Sequence, residues 1–327
     1  MRVLVTGGSG FIGSHVVDRL LVCGHEPRVL DLVISARHLA DGVDIVIGDI
    51  LDGDALRTAL SGCDAIVHLA AVADVGAVAL DPVRADLVNT RGTAVLLEAA
   101  REHGIRHFVY GSTIWVYGNA PGTEALDEDA LLVSPDHFYT ATKLAGEMYC
   151  RSYAAMYGLE PTILRFGIPH GPGAREATVV AQFVARALAG EPLRITGDGN
   201  QARQFVYVED LAEGIVASLT AVARGRTYNL VGDETVRVRE IAAIVGDLIG
   251  GVSIEHVPGR ASDLAQIQIS GRRAWEELGW RATTKFADGV RRYLQSVTGT
   301  NGSPIASTAA MIAGSAPTVL RQESGAL

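Results

Sequence analysis

The amino-terminal stretch that decides the fold reads Arg2-Val3-Leu4-Val5-Thr6-Gly7-Gly8-Ser9-Gly10-Phe11-Ile12-Gly13-Ser14-His15. A short apolar, β-branched run ends at Thr6, three glycines follow at Gly7, Gly10 and Gly13, and an amphipathic segment starts at Val16. This order predicts a strand, a tight turn and a helix. Because glycines carry no side chain, the N–H groups and the dipole of the helix N-terminus stay accessible to a pyrophosphate.

The ends of the next three predicted strands carry residues suited to a bound dinucleotide. Asp31 ends the second strand, where a carboxylate can accept hydrogen bonds from both hydroxyls of an adenosine ribose and repels a 2′-phosphate. This favours NAD over NADP. Arg37 lies nearby in the sequence and could pair with a 2′-phosphate, so NADP stays an alternative. Asp49-Ile50 follows the third strand, where a carboxylate could meet the adenine amino group. The fourth strand ends in Leu69-Ala70-Ala71, whose small alanines let a cofactor pass close to the backbone.

The composition indicates a protein with a large core and no nucleic-acid partner. The chain has 327 residues and a formal net charge of −9, and no lysine- or arginine-rich stripe offsets this acidity. Met1-Arg2 leads directly into the first strand, so no signal peptide is expected, and no apolar run reaches the ~18 residues of a membrane span. Cys23, Cys63 and Cys150 are scattered, which indicates reduced thiols in a cytoplasmic protein and no metal site.

Strand and helix patterns alternate to about residue 170, which predicts an α/β fold with a doubly wound parallel sheet. We therefore assign residues 1–170 to a dinucleotide-binding Rossmann domain. After Gly171-Pro172 the rhythm changes, and residues 171–296 are expected to form mainly a smaller substrate-binding α/β cap near the carboxyl ends of the strands. Residues 297–327 are rich in small residues without a sustained period, so we expect a disordered tail.

Tyr139 and Lys143 form the first part of a candidate catalytic constellation. Their spacing of four residues places both side chains on one face of a predicted helix. A free tyrosine titrates near ~10 and is a poor base at neutral pH, but a nearby ammonium and an oxidised nicotinamide ring would favour the phenolate. Lys143 could also reach the nicotinamide ribose. At the end of the fifth strand, Thr113 could bind a substrate hydroxyl, while Ser112 would lie nearer the cofactor.

The order of these segments along the chain resembles that of the extended short-chain dehydrogenase/reductase family. The segments are the glycine turn, Asp31, Asp49-Ile50, Ala70-Ala71, Asn89, Thr113 and the Tyr139/Lys143 pair. Within the family, the nucleotide-sugar epimerases and dehydratases are the most similar, and the resemblance extends over residues 1 to about 296. It implies an NAD cofactor, a nucleotide-sugar substrate and a catalytic set of Thr113, Tyr139 and Lys143. The cofactor contacts it implies are Gly7, Gly10, Phe11, Ile12, Gly13, Asp31, Asp49, Ile50, Leu69, Ala70, Ala71, Asn89, Ser112, Tyr139 and Lys143.

The carboxyl-terminal half carries two further segments of the family's pattern. The stretch 197–210 is similar to the family's G-D-G-x-Q-x-R-x-F-x-Y-V-x-D block, and by that match Arg203 would contact the diphosphate of the substrate. Arg260 and Asp263 resemble the family's R-x-G-D element, with Arg260 on the phosphates and Asp263 on the nucleotide ribose. Arginine suits this task because its planar guanidinium pairs with two phosphate oxygens at once.

The residues after Thr113 discriminate between the reactions of this family. Its dehydratases carry Asp-Glu directly after the catalytic Thr, and its decarboxylases carry a Glu there, whereas this chain has Ile114 and Trp115. Elimination needs a positioned acid and base, so the resemblance favours a 4-epimerase, which removes a hydride from the sugar and returns it. The alternatives are a reductase of a 4-keto sugar or other carbonyl, and a non-catalytic nucleotide sensor.

Two positions bear on the choice of sugar. Ile168 stands where the family has a diphosphate-binding Asn, and Arg175 occupies the place of an Arg that reaches the sugar carboxylate in epimerases of uronic acids. UDP-glucose and UDP-glucuronic acid are therefore both candidate substrates.

A homodimer is the expected assembly. The two predicted helices at 90–103 and 139–157 would form its interface, because the second carries more apolar surface than packing on one side of a sheet requires.

Overall fold

A seven-stranded parallel sheet lies at the centre of the molecule. The computed structural model describes residues 1–118, 125–258 and 268–299. The strands in this part of the chain are β1 (Arg2–Thr6), β2 (Glu26–Asp31), β3 (Asp44–Ile47), β4 (Ala65–His68), β5 (His107–Thr113), β6 (Glu160–Phe166), β7 (Ile168–His170), β8 (Leu193–Thr196), β9 (Ala202–Tyr207), β10 (Thr227–Leu230), β11 (Thr235–Arg237) and β12 (Ile254–Val257). The large sheet has the order β10-β6-β5-β4-β1-β2-β3, with all neighbouring strands parallel. This doubly wound topology confirms the predicted fold class.

Helices cover both faces of the large sheet. The helices of the described residues are α1 (Phe11–Val22), α2 (Ala36–Ala40), α3 (Gly53–Leu60), α4 (Val75–Leu80), α5 (Pro82–Asp86), α6 (Gly92–Glu102), α7 (Phe138–Tyr157), α8 (Val179–Leu188), α9 (Val208–Ala217), α10 (Val238–Ile249), α11 (Arg272–Leu278) and α12 (Phe286–Thr298). None of them is long and apolar enough to cross a membrane. On one face Val16 and Leu20 of α1 pack with Ile215 of α9. On the other, Leu60 of α3 packs with Leu97 of α6.

A smaller part of the molecule lies beyond the carboxyl ends of the large sheet. In it β9 pairs with β7 in parallel and with β11 in antiparallel orientation, and β8 pairs with β12. Helices α8, α10 and α12 enclose a separate core, which includes Phe183, Ile241 and Phe286.

The chain passes between the two parts more than once. After β9 it returns to the large sheet, where α9 packs on α1 and β10 becomes an edge strand beside β6. After Leu230 most of the chain completes the smaller part, but Ala274 of α11 and Trp280 pack in the core of the large sheet. The helix α12 runs to Thr298, so residues 297 and 298, assigned to the tail from the sequence, belong to a helix. Residues 300–327 lie outside the described part of the chain.

Candidate active site

A cavity of about 1030 Å³ lies between the carboxyl ends of the large sheet and the smaller part. An open α/β sheet binds its ligand at this edge. The structure brings most of the residues predicted from the sequence to its wall. Those that line it are Gly7, Gly10, Phe11, Ile12, Gly13, Asp31, Asp49, Ile50, Leu69, Ala70, Ala71, Ser112, Thr113, Tyr139, Lys143 and Arg175.

The glycine turn fits a pyrophosphate. Gly7 has φ +72°, and a Cβ there would lie 2.8 Å from the amide nitrogen of Ala70, while a Cβ on Gly13 would overlap the Gly7 carbonyl oxygen. No side chain caps α1 at Gly10, and the first helical bond runs from the Ser14 N–H to the Gly10 oxygen at 3.0 Å. The preceding N–H groups at the start of α1 therefore face the cavity without helical partners, as an anion site requires.

Two carboxylates line the cavity where the adenosine of a dinucleotide is expected. Asp31 accepts hydrogen bonds from the N–H groups of Ser9 at 3.0 Å and Val33 at 3.3 Å, which hold it beside the glycine turn. Each carboxylate oxygen can accept a further bond, so both can still serve ribose hydroxyls. Asp49 accepts from the guanidinium of Arg84 at 3.2 Å. Arg84 also lines the cavity, and the sequence analysis did not find it because a helix arginine carries no motif.

Buried polar groups fix the backbone where the cofactor would pass. The Thr6 hydroxyl accepts hydrogen bonds from the N–H groups of Leu69 and Ala70, both at 3.3 Å, and therefore donates to Nδ1 of His68 at 2.8 Å. Nε2 of His68 lies 3.0 Å from the Thr93 hydroxyl. Burial lowers the pKa of His68 to about 3, so the ring is neutral and its role is structural.

Asn89 is a predicted cofactor residue that does not line the cavity. Its side-chain oxygen accepts from the Val72 N–H at 2.8 Å, and its amide group donates to the Val72 oxygen and to the Thr142 hydroxyl, both at 3.0 Å. Asn89 lies in a π-helical turn, 87–91, ahead of α6, whereas the sequence predicted one continuous helix from residue 90. Because Val72 lines the cavity, Asn89 shapes the wall from behind.

The candidate catalytic residues meet where β5 and α7 come together. Nζ of Lys143 donates to the Gly111 oxygen at 2.8 Å, and burial lowers the pKa of this lysine to about 8. Burial raises the pKa of Tyr139 to about 12, and the charge of Arg175 acts in the opposite direction. In the structure the charge that favours the phenolate of Tyr139 is therefore that of Arg175, whereas the sequence analysis expected it from the ammonium of Lys143. The Thr113 hydroxyl lies at the end of β5 in the same cavity wall.

A buried ion pair holds α7 against the sheet. Glu147 accepts hydrogen bonds from Nε and Nη2 of Arg165 on β6, at 3.0 and 2.8 Å. It also accepts from the Ser112 hydroxyl at 2.6 Å. The side chains of Glu147 and Arg165 are both buried. Because the Ser112 hydroxyl donates its proton to the hydrogen bond with Glu147, it could only accept a hydrogen bond from a cofactor.

The two residues that follow Thr113 point in different directions. Ile114 is buried in a small apolar cluster with Val116, whereas Trp115 lines the cavity. The Trp115 ring centroid lies 4.9 Å from that of His137 and 6.1 Å from that of Tyr139, both edge to face. Sequence reasoning treated Trp115 only as a missing acid, and its place in the site depends on the 3₁₀ turn Ile114–Tyr117.

Of the residues predicted to contact the substrate outside the catalytic set, Arg175 lines the cavity and Arg203 does not. Arg203 does not line the cavity, and its guanidinium donates to the Ala202 oxygen at 2.8 Å. Arg260 and Asp263 lie outside the described residues, as does the side chain of Arg37. Arg175 does line the cavity, donates to the Ala73 oxygen at 3.3 Å and lies 3.9 Å from the Asp74 carboxylate.

The doubly wound sheet, the glycine turn and the Tyr139/Lys143 pair at its carboxyl edge define a dinucleotide-dependent enzyme of the short-chain dehydrogenase/reductase type. The model of the NAD dependent epimerase/dehydratase family matches residues 3–231. The chain belongs to this family, which confirms the resemblance seen in the sequence and the NAD cofactor.

Individual relatives differ in the reactions for which they are named. The chain is 34% identical to a UDP-glucose 4-epimerase of Mycolicibacterium smegmatis, over 90% of this chain and 98% of that protein. It is 30% identical to a dTDP-glucose 4,6-dehydratase of Streptomyces griseus, over 88% and 92%. A UDP-glucuronic acid 4-epimerase from Bacillus cereus, solved with UDP-glucuronic acid and NAD, has a TM-score of 0.84 and 28% identity, covering 90% of this chain and 98% of that one.

The position of Asp31 yields a prediction about cofactor choice. We expect the purified protein to bind NAD more tightly than NADP, because a 2′-phosphate would meet the Asp31 carboxylate. Asp31→Ala should weaken NAD binding about ten- to a hundredfold, since hydrogen bonds to a charged group are worth ~1.5–3 kcal/mol. The same change should reduce the ratio of the affinity for NAD to that for NADP. Calorimetric titration with both dinucleotides measures this, with Asp233→Ala, outside the cavity, as the control. Equal affinities in the unaltered protein would contradict the role of Asp31.

Proposed function

We propose that the protein is an NAD-dependent nucleotide-sugar 4-epimerase that acts on UDP-glucose or UDP-glucuronic acid through a transient 4-keto sugar. The observation that carries the proposal is the wall formed by Thr113, Trp115, Tyr139 and Lys143, which is continuous with the dinucleotide site. It offers a base and a hydroxyl-binding group beside the cofactor. The epimerases among the relatives support it.

Three residues of this wall have a role in proton transfer or orientation. Tyr139, as the phenolate, takes the proton of the sugar 4-hydroxyl and returns it after the hydride has come back. The Thr113 hydroxyl hydrogen-bonds to the same sugar oxygen, and Lys143 orients the nicotinamide ribose. Gly7, Gly10, Gly13 and Asp31 would hold NAD⁺ beside this wall, where it would supply the acceptor for the hydride of C4 and the donor for its return to the opposite face. Arg175 lowers the pKa of the base, against the effect of burial.

The absence of an acid beside Thr113 favours epimerisation over elimination. A dehydratase must protonate a leaving hydroxyl and abstract a second proton, which requires a positioned acid and base. Here the cavity position next to Thr113 is an indole, and Ile114 is turned into an apolar cluster. Neither side chain can transfer a proton.

The central variants are Tyr139→Phe and Lys143→Ala. Loss of a general base typically costs ~10²–10⁴-fold in rate, so Tyr139→Phe should lose turnover by that factor while it keeps its fold and bound NAD. Lys143→Ala should also lose most of its turnover, whereas Lys285→Ala, with an exposed lysine, should not. NMR of the sugar C4 proton measures the rate. A Tyr139→Phe protein with near-normal turnover would refute the mechanism.

Arg175 should influence both the base and the choice of sugar. Arg175→Ala removes the charge that lowers the pKa of Tyr139, so the rising limb of the pH–rate profile should move to higher pH with every substrate. If Arg175 also pairs with a C6 carboxylate, the ratio of kcat/KM for UDP-glucuronic acid to that for UDP-glucose should fall by about ten- to a hundredfold.

Steady-state kinetics on both sugars over a range of pH separate the two effects. Arg175→Lys keeps the charge and serves as the control for the pH shift. A pH shift with an unchanged ratio would show that Arg175 acts on Tyr139 alone and would remove the argument for a uronic acid.

We further propose a homodimer through α6 and α7. Of the apolar residues on α7, Leu144 and Tyr153 are half-buried within the chain, whereas Met148, Met156 and Tyr157 are 42%, 68% and 48% exposed. Burying such a patch against a second copy would remove apolar surface from water. Sedimentation should show a dimer at micromolar concentration and a monomer for Met148→Lys, while Leu188→Lys, on α8, stays dimeric. A monomeric unaltered protein would contradict this.

A further inference from the structure

We propose that the indole of Trp115 is the surface on which the sugar ring of the substrate packs, and that it thereby determines which ring the site accepts. This inference rests on the proposed epimerase function and adds a specificity-determining residue to it. The substrate class it indicates is a pyranosyl group with a predominantly apolar C–H face.

The position of Trp115 follows from its contacts with two catalytic residues. Its backbone N–H donates to the Thr113 hydroxyl at 3.3 Å, and its ring lies edge to face with the Tyr139 ring at a centroid distance of 6.1 Å. The indole is half-buried and lines the cavity. A sugar whose 4-hydroxyl reaches both Thr113 and Tyr139 therefore has the indole as its neighbour.

The indole is held in place before any substrate arrives. The 3₁₀ turn that carries it is capped by Thr113 and ends at Gly118, whose φ of +53° favours glycine. The flanking residues Ile114 and Val116 are buried. The indole also packs edge to face on His137, which caps α7. A preorganised surface binds without the entropic cost of ordering a side chain.

The neighbouring walls share the apolar character of Trp115. Ile168, Val179, Val180 and Phe205 also line the cavity. Contacts of this kind are non-directional. A 4-keto ring can therefore turn between the two hydride transfers without breaking hydrogen bonds to these walls, which a site built from polar groups would not allow.

The test compares Trp115→Ala and Trp115→Phe with the matched control Trp275→Ala, whose indole is 51% exposed outside the cavity. An aromatic contact plus its buried area is worth enough to change binding about tenfold. We expect Trp115→Ala to raise KM for UDP-glucose by about tenfold with NAD content unchanged. Trp115→Phe should stay within about threefold of the unaltered protein, and the control should be unchanged.

A binding measurement keeps the proposal testable if Trp115→Ala folds poorly. In the full-length Tyr139→Phe protein, UDP-glucose should change the tryptophan fluorescence, whereas UDP alone should not. In the double variant Tyr139→Phe/Trp115→Phe, UDP-glucose should no longer change the fluorescence. An equal fluorescence response to UDP, or an unchanged KM in Trp115→Ala, would overturn the role of Trp115 but not the proposed function. If the unaltered protein turns over none of UDP-glucose, UDP-galactose, UDP-glucuronic acid and dTDP-glucose, the proposed function fails as well.

Discussion

The buried ion pair between Glu147 and Arg165 is the constraint on which the site depends. Tyr139, Lys143 and Glu147 follow one another at intervals of four residues and therefore share one face of α7. Arg165 on β6 and Ser112 on β5 fix Glu147 with three hydrogen bonds. This fixes the rotation and height of α7 above the sheet, and with them the positions of Tyr139 and Lys143. Removing one partner of such a pair costs about 3–5 kcal/mol, because the other charge stays buried.

The electrostatics of the site follow from burial. Burial raises the pKa of Tyr139 to about 12 and lowers that of Lys143 to about 8, so each group resists its charged form in the chain alone. Interactions between charges are stronger in such a dry environment than in water. The positive charge of Arg175 offsets part of the effect of burial on the pKa of Tyr139. In the proposed mechanism, an oxidised nicotinamide ring would add a further positive charge that favours the phenolate of Tyr139.

Local patterns in the sequence were sufficient for the fold class and for most of the cavity wall. The glycine turn, Asp31 and the Tyr139/Lys143 spacing are local signals, and the structure brings them to one cavity. The sequence could not show that β10 joins the large sheet, because that pairing joins residues more than sixty positions apart. It also could not show which of Ile114 and Trp115 faces the cavity, since a short 3₁₀ turn decides it. The sequence likewise could not show that the Asn89 side chain binds the backbone of Val72, or that the Arg203 guanidinium donates to the Ala202 oxygen, because tertiary contacts decide both.

In the proposed reaction, a hydride leaves C4 and returns to the opposite face of the same sugar. The most direct measurement incubates the NAD-loaded protein with UDP-glucose deuterated at C4 in ordinary water and follows the products by NMR and NADH absorbance. We expect C4-inverted product that retains the deuterium at C4, with no net formation of NADH. Loss of the deuterium to solvent, or one NADH formed for each product, would contradict the proposed reaction.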